Sequence, residues 1–188
     1  MSLRFKNKSD VFNIVVTALA AVLSVGIMLY GVWHFGIQNT WPELVLNLLY
    51  IACLVMIWMY FLGARLTAKQ FNSWCTVCVG IAVLLRDVIF SPTQMSIYPI
   101  KKACLVLAVV LLIMLAYFYG RKNWKSYTKS NLWAICVVDM LIALLYNIDI
   151  MLEPVDEFTT YMMVEIWIRP TITYGLVACF IKETDDKK

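Results

Sequence analysis

The chain has 188 residues, of which 62% are hydrophobic and 15% charged, which is too apolar for an ordinary water-soluble domain. Six spans of about 20 residues each would consume most of that length, so no separate soluble catalytic domain fits. The net charge of +4 does not argue for a nucleic-acid partner, because the basic residues fall in short clusters between apolar runs, where membrane topology accounts for them.

The first apolar run, 11–37, follows Arg4, Lys6 and Lys8 and is too long for the apolar region of a signal peptide, so it reads as a retained first span. His34, the one histidine, lies near its outer end with no Cys, Asp or Glu one helical turn away. Interfacial packing is the expectation there, not metal binding. Five further runs follow at 43–64, 74–90, 100–120, 131–149 and 159–181. None alternates polar and apolar residues with a period of two, so the fold class expected is all-α: a polytopic transmembrane helical bundle of about six spans in one integral membrane domain, 1–188.

Orientation follows from lysine and arginine. With the N-terminus inside, Arg4, Lys6, Lys8, Arg65, Lys69, Arg121, Lys122, Lys125, Lys129, Lys182, Lys187 and Lys188 are cytosolic, and only Lys101 and Lys102 are external. This bias predicts that both termini are cytosolic. Glu43, Asp149, Glu153, Asp156 and Glu157 then all fall on the outside. Trp33, Trp41 and Tyr98 mark the outer interface, and Trp58, Trp74 and Trp133 the inner one.

Arg86 and Asp87 in the third run, Asp139 in the fifth, and Glu165 and Arg169 in the sixth stand where hydrocarbon disfavours charge. Each costs about 3 kcal/mol at mid-span even on lenient insertion scales, so each must face protein or water. Counting about 1.5 Å per residue sets Arg86 at the depth of Glu165 and Asp139 at the depth of Arg169. Two interhelical ion pairs are therefore expected, with Asp87 left over to face a water-filled vestibule. Pro170, beside Arg169, frees the carbonyl of Ile166 and predicts a kink.

Cysteines 53, 104, 136 and 179 lie inside apolar runs and read as small hydrophobes. Cys75 and Cys78 form a CxxC at the start of the third run, where a helix dipole would stabilise a thiolate. Over Trp74-Cys75-Thr76-Val77-Cys78 alone, the chain resembles membrane thiol oxidoreductases of the quinone-linked and vitamin-K-epoxide-reductase kind, which place a CxxC at a helix end. That resemblance implies a redox role for Cys75 and Cys78, although the charge bias puts them on the cytosolic face, where disulfides are kept reduced.

No phosphate-binding glycine loop, zinc-binding helix motif or serine nucleophile elbow occurs. No catalytic residues, metal or cofactor are assigned, and a non-enzymatic role is favoured. The leading expectation is a bacterial plasma-membrane protein that carries or conducts a small solute or ion along a polar path from Arg86, Asp87, Asp139, Glu165 and Arg169. At this size a homo-oligomer or a partner subunit is expected. A second reading is a non-enzymatic subunit of a signalling or defence complex, with the basic segment 120–130 facing anionic lipid or an acidic partner. The third is the thiol oxidoreductase.

Overall fold

A computed structural model describes residues 8–62, 68–90, 97–120, 129–152 and 163–186. Among them the chain is helical throughout, with no strand. Six helices follow in order: α1 (Lys8–Phe35), α2 (Ile37–Phe61), α3 (Ala68–Val83), α4 (Tyr98–Gly120), α5 (Lys129–Met151) and α6 (Ile168–Asp186). Val11–Phe35, Thr40–Phe61, Tyr98–Tyr117 and Trp133–Met151, which lie in α1, α2, α4 and α5, are each long and apolar enough to cross a membrane. These four mark the chain as a helical membrane protein.

Of the six expected spans, the third and the sixth are interrupted helices. After Val83 the chain continues directly into a wide π-helical segment, Leu84–Phe90, which carries Arg86 and Asp87. Before α6, a helical turn over 163–166 is broken at Trp167. There the Trp167 amide donates to the Val164 carbonyl, three residues back, at 3.3 Å. Pro170 supplies the reason, because its ring nitrogen has no proton to give the Ile166 carbonyl and its ring crowds that turn. The break therefore falls where the proline places it.

Each lipid-length helix buries a seam at alternating steps of three and four residues. In α2 this seam contains Glu43, Leu46, Asn47, Tyr50, Cys53, Leu54 and Ile57. In α4 it is Cys104, Ala108, Leu111 and Leu115, and in α5 Cys136, Asp139, Ile142, Ala143 and Tyr146. That spacing is the one at which nearly parallel helices keep a common face. The outward faces carry large apolar side chains such as Val22, Leu29, Val106 and Ile113, which water would penalise and lipid tolerates. Polar groups are instead drawn inward: Asn13, Thr17, Ser24 and Asn47 are all buried.

α6 is the axis of the bundle, packing against α1, α2, α3 and α5. Its wrapped position explains how a helix bearing Arg169 and Thr173 is kept away from lipid. Gly175 makes the closest approach, since a Cβ there would lie 3.0 Å from Ile57 Cδ1 and 3.2 Å from Thr17 Cγ2. Beside it, Thr17 Oγ1 donates to the Asn13 carbonyl at 2.6 Å and accepts from Trp58 Nε1 at 3.0 Å, tying α1 to α2. Gly175→Leu is therefore expected to lower stability by about 1–3 kcal/mol through overpacking, read as a lower midpoint in a detergent melting curve. An unchanged midpoint would mean that α6 does not sit against Ile57.

α1 passes to α2 through Gly36, whose φ of 78° is open to glycine and strained for other residues. Close to this turn His34 stacks on Tyr30 with ring centroids 4.9 Å apart. At the same end of α5, Asp149 accepts from the Ile97 amide at 3.1 Å and so satisfies a donor at the start of α4.

Candidate functional site: a buried charge network

The five charged residues singled out in the sequence converge inside the bundle, and all are at least nine-tenths buried. The network has a tight half and a loose half.

Arg169 holds the tight half. Its Nε donates to Asp139 Oδ1 at 2.8 Å and its Nη1 to Asp87 Oδ2 at 2.6 Å. Thr173, one turn along α6, donates to the other oxygen of Asp139 at 2.6 Å. The Asp139 and Arg169 pairing has the expected form. The expectation for Asp87 is corrected: it is fully buried and is the second carboxylate on Arg169, not a group facing a vestibule. Arg86 and Asp87 are neighbours on the π-helical segment and both are buried, one turned to Glu165 and the other to Arg169.

Arg86 and Glu165 form the loose half. Arg86 Nη1 lies 3.6 Å from Glu165 Oε1, close enough for ionic attraction and too far for a hydrogen bond. Its guanidinium carbon lies 5.8 Å from the centroid of the Tyr146 ring. Glu165 Oε1 accepts from Asn47 Nδ2 at 3.1 Å, and Asn47 Oδ1 accepts from Ser24 Oγ at 2.7 Å. The Asn47 amide also donates to the backbone carbonyl of Glu43 at 2.9 Å, which fixes α2 one turn from the glutamate.

Ser24, Glu43, Asn47, Tyr50 and Thr173 join the network without having been singled out in the sequence. Glu43 entered the sequence reading only as an acidic residue on the external side, and its side chain is 5% exposed. A signal for it existed: Glu43, Asn47 and Tyr50 repeat at intervals of four and three, so they share a helix face. The buried polar network thus draws on α1 and α2 as well as on the third, fifth and sixth helical regions.

Unspent hydrogen-bonding capacity is concentrated in the loose half. Glu43 Oε2, Glu165 Oε2, the Tyr50 hydroxyl, both terminal nitrogens of Arg86 and, next to it, Asp87 Oδ1 are buried and make no hydrogen bond within the structure. Buried polar atoms are ordinarily satisfied, so this cluster is an exception. Tyr50 is within electrostatic reach of Arg86, Arg169, Glu165 and Asp87, and so stands between the two halves.

The CxxC fares differently. α3 begins at Ala68, so Cys75 is its eighth residue, beyond the first turn where the helix dipole acts. Cys78 is instead in hydrogen-bonding contact with Cys53 of α2. The Cys75 side chain lies outside the described residues, as do 121–128 of the basic segment. Comparison with known protein families, with curated proteins and with solved structures found no match.

Proposed function

We propose that this chain is a six-span protein of the bacterial plasma membrane, with both termini in the cytosol, whose buried charge network is the path of a small solute or ion. The observation that supports this most strongly is the split in the network. A purely structural device would be expected to saturate its partners, as Arg169 does. The Arg86 and Glu165 half is equally buried and leaves both terminal nitrogens of Arg86 and Glu165 Oε2 without a hydrogen bond.

Both interrupted helices meet at this point. Broken helices at mid-membrane are where transporters place binding groups, and π-helical turns recur at functional sites. The 23 residues of Ala68–Phe90 give about 34 Å of helix at 1.5 Å per residue, enough for the third crossing. Residues 163–186 supply the sixth. A homo-oligomer or a partner subunit would cover the outward apolar faces that lipid does not.

Topology is tested by single-cysteine labelling with a membrane-impermeant reagent, in a background without the native cysteines. Lys102→Cys and Glu157→Cys should label in intact cells, and Lys69→Cys and Lys125→Cys only after lysis. Labelling of Lys125→Cys in intact cells would overturn the orientation. The path itself is tested by reconstitution into lipid vesicles and measurement of flux for protons, sodium, potassium and small anions. Flux above empty vesicles for at least one of them is expected, and none for any would remove the transport reading.

A further inference from the structure

The charges in the network do not balance. Two guanidiniums, Arg86 and Arg169, face four carboxylates, Glu43, Asp87, Asp139 and Glu165, all of them buried. Arg169 is engaged by Asp87 and Asp139. Among the described residues Arg86 is then the cation left for Glu165, at 3.6 Å, while Glu43, whose charge acts on Glu165, adds a second carboxylate to this half. An uncompensated carboxylate in such a place costs several kcal/mol, so the loose half needs one more positive charge.

We propose that this missing charge is a proton, bound and released at Glu165 with Glu43 as its acidic neighbour, so that the ion served by the path is the hydron. This rests on the membrane-path reading and names its substrate. A metal cation fits poorly. Among the described residues no three acidic, histidine or cysteine side chains gather to hold one, and the Arg86 guanidinium repels a second fixed cation. A proton needs a single oxygen, and Glu165 Oε2 is buried without a hydrogen bond.

The step is a simple transfer: hydronium gives its proton to a Glu165 carboxylate oxygen and leaves as water, and the reverse transfer to water returns it. Glu165 is faced by Glu43, Asn47 and Tyr50 from α2 and by Arg86 from the π-helical segment, while Asp87 and Asp139 are turned to Arg169. When Glu165 takes up the proton its attraction for Arg86 falls, and the guanidinium is free to turn to Asp87 Oδ1, which also makes no hydrogen bond. The 3.6 Å separation and the two unspent Arg86 nitrogens are what such a two-position group requires.

Infrared difference spectroscopy of the purified protein over a range of pH tests this without requiring transport. Above about pH 6, where ordinary carboxylates stay ionised, the wild-type protein should show the carbonyl stretch of a protonated carboxylic acid growing as pH falls, displaced in heavy water. The band should be lost in Arg86→Gln/Glu165→Gln, which removes both members of the pair and so orphans neither, and altered in Glu43→Gln. Absence of such a band in the wild type above about pH 6, or its persistence unchanged in the folded double variant, would overturn the proposal. The two readings fail separately: a band without flux keeps the proton site and removes the path, whereas flux without a band keeps the path and removes the proton site.

Discussion

Arg169→Gln should deplete the folded protein more than any other single change in the network. It strands two buried carboxylates, Asp87 and Asp139, whose guanidinium contacts are 2.6 and 2.8 Å. Breaking one buried pair costs about 3–5 kcal/mol, which already consumes much of the 5–15 kcal/mol that holds a typical protein folded. Because the arginine is shared, the repair follows a definite order. Asp139→Asn with Arg169→Gln removes one orphan and leaves Asp87 charged, so it should recover only part of the loss. Asp87→Asn added to these two leaves no charge in the tight half and should restore a monodisperse peak in detergent chromatography. A double variant that folds as well as the triple would mean that Asp87 does not bind Arg169.

The loose half should respond unequally to its two single changes. Arg86→Gln removes the guanidinium paired with the buried Glu165, at a cost of about 3 kcal/mol or more. Glu165→Gln leaves Arg86, which keeps Tyr146 beneath it and Asp87 within electrostatic reach, and should cost less. The double change removes both charges and should fold better than Arg86→Gln alone. A thermodynamic cycle on melting midpoints would report this as a coupling between the two sites. Strict additivity would contradict the contact between them.

These contacts explain how far the sequence alone could lead. The helices were legible because hydrocarbon length and polar exclusion act on each segment separately, with no need to know its neighbours. The partners of Arg86 and Asp139 were legible from depth, since side chains that must pair in lipid can reach only others at a similar level. Asp87 was misplaced because matching depths one to one does not show that a single arginine, Arg169, holds two carboxylates. Glu43 was passed over because it stands at the start of an apolar run, and its burial depends on how α2 packs against its neighbours. The Cys78 contact was missed for a similar reason: Cys75 is close in sequence, whereas Cys53 belongs to another helix.

The claim that the charges form a path, and not only a fastening, meets its most direct test in the Arg86→Gln/Glu165→Gln protein once it is shown to be folded. Wild-type and variant vesicles, matched for protein content, are given a membrane potential, and proton entry is followed with an enclosed pH-sensitive dye. Proton entry with the wild type and none above empty vesicles with the variant is the result predicted. Entry through the variant at the wild-type rate would contradict the account, because the buried pair would then serve stability alone.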